Sequence, residues 1–387
     1  MSKNERGGNQ NADGQAASGG LSRRSVLRLA GLGSATGVLG ALWNRRAAAG
    51  LPARAPAHRG GHGAIDPEVA GHAAHTMGVV GRVATDAFDP GAFLRSWNFS
   101  HLPEPERSRW YREQRRPDGT VLREYEIVAV DREIEIAPGV FFPAWTYNGE
   151  VPGPTLRATE GDRIRVRFLN QGAHPHTIHF HGWHPPEMDG SLPDQQVLPG
   201  ESFLYEFDAE PFGLHLYHCH ANPLKRHIHK GLYGAFIVDP RGGREPADEL
   251  VMVMNGFDTN FDGGNEVYAV NTAAHFHMAE PVRVRVGELV RIYVVNVTEF
   301  DPINSFHLHG MFFDVYRTGT RLDTAETTDT IMLCQGERAI LETRFRYPGE
   351  FMFHAHQSEF AELGWMGLFL AEEGAEAGAR AAGREGA

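Results

Sequence analysis

Four histidine pairs at one spacing organise this chain: HFH (His179, His181), HCH (His218 and His220, with Cys219 between them), HLH (His307, His309) and HAH (His354, His356). Imidazole and thiolate are the donors that hold copper, zinc and iron. In an extended strand alternate side chains share a face, about 7 Å apart at ~3.3 Å rise per residue, so each pair can aim two imidazoles at one place. Eight such imidazoles suffice for a cluster of metal ions. The chain has 21 histidines, yet scatter does not produce four pairs at a single spacing. Two fall in each half, and each lies inside an apolar β-like run (TIHFHG, LHLYHCH, SFHLHG, EFMFHAH).

Cys219 adds a second kind of site. A His₂Cys trigonal set with a weak axial neighbour is the blue-copper arrangement. His176 precedes His179 by three residues, His227 follows Cys219 by eight, and Leu232 comes five further on. We assign His176, Cys219 and His227 as equatorial ligands and Leu232 as the axial neighbour. His174 and His229 are the competing choices for His176 and His227. Leucine cannot coordinate, and a missing axial ligand should raise the reduction potential. His218 and His220 point to the face opposite Cys219, so the Cys–His link is a short electron path between a mononuclear site and a cluster. One mononuclear and one trinuclear site would together store the four electrons that reduce O₂ to water. Structural zinc prefers four closed ligands, usually several of them cysteine, and a single Cys among many histidines fits it poorly. Asp189, just after the first pair, and Glu359, three residues after His356, are carboxylates that could relay protons.

The elements that position these residues read as short alternating strands with Pro/Gly turns, from Val121 to about 240 and again from about 245 to 372. The two segments repeat each other. EGDRIRVRFLNQ matches VGELVRIYVVNV, HTIHFHG matches NSFHLHG, and LHLYHCH matches EFMFHAH. This is an all-β tandem duplication of a Greek-key β-sandwich. In the second copy Ala355 stands at the place of Cys219, Asn304 at that of His176, and Phe360 and Trp365 at those of His227 and Leu232. One blue site per chain follows, in the first sandwich.

Outside the repeats, residues 1–49 carry a twin-arginine pattern (SRRSVLRLAG) followed by a Gly/Ala/Leu stretch too short for a stable membrane span of ~20 residues. The expectation is export by the twin-arginine route to the periplasm or beyond. Residues 50–120 read as an N-terminal extension or arm, with His58, His62, His72 and His75 solvated, and 373–387 as a disordered tail. The formal net charge of −12 argues against a nucleic-acid partner. Of the two cysteines, Cys334 lies in the apolar run TIMLC and is expected to be buried, and no disulfide framework is implied.

Across about residues 121–370, including TYNGEVPGPTLRATEGD and all four histidine motifs in order, the chain resembles the multicopper oxidases, specifically the two-domain laccase-like group. The resemblance implies two cupredoxin-like domains and four copper ions per chain: one type 1, one type 2 and two type 3. It implies type 2 ligation by His179 and His307, and type 3 ligation by His181, His218, His220, His309, His354 and His356. It places an acidic residue at Asp189. It also implies a homotrimer, with each cluster built between domain 1 of one subunit and domain 2 of the next. The implied reaction is oxidation of phenolic or similar small reductants by O₂. A metal-ion oxidase (cuprous, ferrous or manganous) shares the whole machinery. A copper nitrite reductase is the other alternative, but it would leave HAH and the second histidine of HLH without a task, and its active-site Asp position is filled here by His179.

Overall fold

The computed structural model describes residues 88–324 and 326–373. The twin-arginine segment, the four histidines between 58 and 75, and the tail from 374 onward lie outside the described residues. The first sandwich contains β1 (Tyr111–Arg115), β2 (Val121–Ala137), β3 (Val140–Tyr147), β4 (Gly153–Thr159), β5 (Arg163–Asn170), β6 (His179–Phe180), β7 (Ser202–Asp208), β8 (Gly213–His218) and β9 (Tyr233–Asp239). One sheet runs β1-β2-β5-β7, with β3 paired to β2, and the facing sheet runs β4-β9-β8-β6. The second sandwich contains β10 (Asp248–Phe257), β11 (Val267–Val270), β12 (Val282–Arg285), β13 (Leu289–Asn296), β14 (Ile303–Leu308), β15 (Phe313–Arg317), β16 (Glu326–Thr328), β17 (Thr330–Cys334), β18 (Arg338–Arg344), β19 (Gly349–His354) and β20 (Met366–Glu372). Its sheets run β11-β10-β13-β18-β15-β16 and β12-β20-β19-β14-β17.

The duplication read in the sequence is visible in the pairing. β2 pairs β5 in parallel as β10 pairs β13, and β4 pairs β9 in parallel as β12 pairs β20. Alternation along the strands drives this packing. In RIRVRFLN of β5, Arg163, Arg165 and Arg167 carry charge outward while Ile164, Val166 and Phe168 are buried inward. Each sandwich closes on its own core, one around Phe168, Phe180 and Tyr205, the other around Phe306, Phe353 and Trp365.

A third apolar cluster joins the two sandwiches: Ile134, Phe142, Leu216 and Ile237 of the first meet Val251, Phe257, Tyr293 and Val295 of the second. The arm ahead of β1 fastens both. Within and after the short helix α1 (Pro90–Phe93), Phe93 enters the joint cluster, Leu94 the second core and Phe99 the first. A second short helix, α2 (Arg107–Trp110), leads into β1, a strand lying upstream of the expected Val121 start.

Cys334 corrects one expectation: it is exposed. In β17 Ile331 and Leu333 face the core, so strand parity turns Cys334 outward.

Candidate metal centre

The HCH motif sits where β8 ends. His218 is the last strand residue, and Cys219 turns into the first core while both flanking histidines face the other way. His227 arrives on a helix of six residues, α3 (Leu224–His229). His176 comes from the loop before β6, tied to Val197 by paired backbone hydrogen bonds of 3.0 Å. The three donor atoms converge: His176 Nδ1 and His227 Nδ1 are 3.2 Å apart, and Cys219 Sγ lies 3.2 Å from His227 Nδ1 and 3.9 Å from His176 Nδ1. All three residues are buried, at 0, 0 and 2 % exposure for His176, Cys219 and His227.

Burial depresses His176 to about 3 and His227 to about 4, so both imidazoles are neutral, with lone pairs to offer. Burial pushes the Cys219 thiol up to about 11, partly offset by N–H groups of Thr177 and Ala221 directed at the sulfur. Leu232 is fully buried beside them; its carbonyl accepts the Cys219 N–H at 2.9 Å and its N–H reaches the His227 carbonyl at 3.3 Å. The competing ligands are elsewhere: His174 is exposed and packs at a tilt against Trp145, ring centroids 4.6 Å apart, and His229 Nε2 accepts the Asp258 N–H at 2.9 Å.

The second copy keeps this scaffold without the donors. Ala355 N–H donates to the Trp365 carbonyl at 3.2 Å, and Trp365 N–H to the Phe360 carbonyl at 2.9 Å, matching the Cys219–Leu232–His227 pattern. Trp365 fills the space as a fully buried core residue.

The remaining eight imidazoles form two sets of four built on one plan. In β6 and β8 His179 stands opposite His218, and in β14 and β19 His307 stands opposite His354. His181 Nε2 meets His218 Nε2 at 3.2 Å; His309 Nε2 meets His354 Nε2 at 2.9 Å. Four Nδ1 atoms are pinned on backbone carbonyls: His179 on Asp189 (2.9 Å), His218 on Cys219 (2.9 Å), His307 on Asp329 (2.8 Å) and His354 on Ala355 (2.7 Å). A carbonyl accepts a proton from Nδ1, which leaves the Nε2 lone pair free for a metal. His220 and His356 are held by their own N–H groups, which donate to Thr177 Oγ1 (2.9 Å) and Ser305 Oγ (2.7 Å). Burial, with neighbouring His218 and Arg338, depresses His181 to about 2.

Only one residue of each pair lies in a strand, because β6, β8, β14 and β19 all end within their motifs. The ladder continues just far enough to orient the second: His181 N–H reaches the Leu216 carbonyl and His309 N–H the Met352 carbonyl, each at 2.9 Å. Among the described residues no ring contact or hydrogen bond joins a member of the first set to a member of the second. His309 and His356 are exposed.

Asp189 lies 3.3 Å from His179 Nδ1 and 3.7 Å from His184 Nε2, and bonds the Ser191 hydroxyl. Burial alone would raise it, but Ser191 and the imidazoles outweigh that and hold its carboxyl below the usual range. Glu359, in the exposed first turn of α5 (Ser358–Glu362), has no hydrogen bond or ion pair with any imidazole; the helix between the α3 and α5 positions is α4 (Phe276–Ala279). Sequence reasoning missed Thr177 and Ser305, although the aligned HTIHFHG and NSFHLHG segments place a hydroxyl at the same position in both. It also missed Trp145, whose ring packs on His176 (5.3 Å) and His227 (4.8 Å) from a distant strand with no motif to mark it.

Two Greek-key sandwiches with thiol and imidazole donors gathered at their strand ends define the class, a two-domain cupredoxin. Multicopper oxidase family models match residues 131–243 and 245–375. A solved structure described as a multicopper oxidase is 57 % identical, covers 74 % of this chain and 98 % of its own, and superposes with a TM-score of 0.70. The blue copper oxidase from Nitrosomonas europaea is 26 % identical over 64 % of this chain and 85 % of its own, with a TM-score of 0.57. The copper-containing nitrite reductase of Neisseria gonorrhoeae is 31 % identical over 248 residues, 59 % of this chain and 62 % of that protein, so the match spans less than two thirds of that relative's length. The chain belongs to the multicopper oxidase family. Its residues fit copper: an N,N,S donor set with its nitrogens neutral, and carbonyl-pinned imidazoles presenting Nε2.

Proposed function

We propose that the protein is an exported, laccase-like multicopper oxidase that takes electrons singly from phenolic or similar small reductants and delivers four of them to O₂, forming water. The observation that carries this reading is the second imidazole set: His307, His309, His354 and His356 are pinned by the same anchors as the first four. Copper, when bound, supplies one-electron redox chemistry at the type 1 site and an electron store at the cluster.

The chain's own groups do the rest. His176, Cys219 and His227 would hold the type 1 ion, with Leu232 occupying the axial side. His179 and His307 would hold type 2, and His181, His218, His220, His309, His354 and His356 the type 3 pair. Thr177 presents its N–H to Cys219 Sγ at 3.3 Å and its hydroxyl to His220, so one residue steadies both sites. Asp189, ionised beside His179, is placed to hold a proton on its way to O₂. Each sandwich presents only half of the eight imidazoles, so the cluster would form at a domain–domain interface, which a homotrimer joining domain 1 of one subunit to domain 2 of the next would supply. Among the described residues no helix is long and apolar enough to cross a membrane.

Copper per chain, by elemental analysis with EPR, tests the reading. About four ions, with both blue and non-blue signals, are expected. About two would favour nitrite reduction, the second reading, which the Neisseria relative supports. Turnover of Fe(II), Cu(I) or Mn(II) in place of phenols would point to a metal-ion oxidase. Cys219→Ser should abolish both the blue colour and turnover by external reductants.

A further inference from the structure

The helix that delivers His227, with the residue that caps it, carries three cations that no carboxylate meets in a direct ion pair. Lys225, Arg226 and Lys230 make no ion pair among the described residues, in a protein where most structured arginines of the sheets do. Their contacts are aromatic instead. Lys225 Nζ sits 4.0 Å from the Phe300 ring centroid and the Arg226 guanidinium 5.3 Å from Trp145. Lys230 Nζ lies 4.7 Å from Phe142, 5.0 Å from Phe261 and 5.9 Å from Trp145. Lys225 and Arg226 are exposed, and so are Phe261 and Phe141, each at 55 %.

Trp145 links this face to the donors, since its ring rests on both His176 and His227. The nearest acids, Asp131 and Glu299, act on Lys230 and Lys225 only through space, their oxygens being hydrogen-bonded to other groups. Asp131 accepts the Ala173 N–H at 3.2 Å, and Glu299 is buried and bonded to Gln335. The chain as a whole is acidic, at −12, so an exposed pair of cations without ion-pair partners beside the donor trio stands out against its surroundings.

We propose that this rim selects the reductant by charge: the face over the type 1 site docks a small aromatic anion, a ring bearing a carboxylate or sulfonate, between Lys225, Arg226 and the exposed Phe261 ring. The inference rests on the proposed oxidase function and names its substrate class. Aromatic faces accept the ring, and the guanidinium and ammonium groups accept the anionic substituent. Each encounter removes one electron from the reductant; four electrons and four protons convert one O₂ to two waters.

The test uses the full chain in two states. Metal-free protein is titrated with redox-inert benzene-1,3-disulfonate, and copper-loaded protein turns over 2,6-dimethoxyphenol and its 4-carboxylate. In Lys225→Gln/Arg226→Gln, the disulfonate Kd should rise roughly ten-fold. The kcat/KM ratio of carboxylate over neutral phenol should fall by a similar factor, and rising salt should erase the difference in the parent protein. The blue absorption of the loaded double variant reports that the site has folded; if it is lost, Lys225→Gln alone is measured.

An unchanged Kd with an unchanged ratio overturns the proposal. A variant effect confined to electron transfer from a reduced acidic donor protein, with disulfonate binding unaltered, overturns it in favour of a protein donor. If disulfonate binding responds while no aromatic is oxidised, the docking site stands and the oxidase reading falls.

Discussion

Each donor residue is tuned by what touches its other atom. Four of the cluster imidazoles give Nδ1 to a carbonyl, which fixes the tautomer before any metal arrives. Burial keeps His176 near 3 and His227 and His218 near 4, against an ordinary 6.5. The unfolded chain therefore binds protons first as pH falls. The metal-free protein should hold its full stability above about pH 6.5 and lose on the order of 1–2 kcal/mol for each such histidine between pH 7 and 5, levelling off below the folded values. Urea titrations across that range check the sign; flat stability would refute it.

The thiol behaves oppositely toward metal. With Cys219 pushed up to about 11, a metal ion held by His176, Cys219 and His227 would displace a proton, so apparent copper affinity there should rise roughly ten-fold per pH unit from 6 to 9. Chelator competition followed at the blue band measures this. Thr177→Val removes the acceptor of the His220 N–H and should cost ~1–3 kcal/mol, with Thr177→Ser restoring it.

Between elements, the two sandwiches are locked by charge as well as by their apolar seam. Glu249 on β10 accepts Arg157 of β4 at 2.7 Å, and Arg291 (3.1 Å) and the Tyr293 hydroxyl (2.7 Å) of β13. Arg157 also grips Asp239, and Arg291 grips Glu342. Glu249→Ala would leave each guanidinium with a single carboxylate and the Tyr293 hydroxyl without its acceptor, at a cost of roughly 1–3 kcal/mol in denaturant unfolding. The arm contributes separately: Leu94→Ala, at 2 % exposure in the second core, should cost ~2–4 kcal/mol. A loss below ~1 kcal/mol would mean the arm only rests on the surface.

For the molecule as a whole, the two sets of four imidazoles do not touch within the described chain. Large apolar side chains flank both half-sets: Trp183, 68 % exposed, follows His181 by two residues, and Phe312, 64 % exposed, follows His309 by three. If these faces meet in the proposed trimer, Trp183→Glu/Phe312→Glu should sediment as a monomer. That monomer should keep the blue copper yet lose the cluster signals and O₂ consumption. A monomeric variant with full turnover would refute the shared cluster. At the N-terminus, Arg23→Lys/Arg24→Lys should leave the protein in the cytoplasm if export runs through the twin-arginine route, as cell fractionation would show.

The thiol, the paired imidazoles and the duplication were readable from sequence, because residue identity is a covalent property and a two-residue strand period carries each pair with it. Cys219 facing away from His218 and His220 follows from the same parity. The absence of a matching thiol–imidazole trio from the second copy was legible too, since Ala355 and Asn304 stand where Cys219 and His176 do. What required the fold were contacts between segments far apart in the chain. Strand register brought His179 opposite His218, packing laid Trp145 of β3 on two loop histidines, and helix placement left Glu359 away from the imidazoles that it follows in sequence. The separation of the eight imidazoles into two halves is likewise a consequence of how the sandwiches pack through Ile134, Phe142 and Tyr293. No local pattern encodes that joint, because its energy comes from apolar surface that each sandwich exposes only once both are formed.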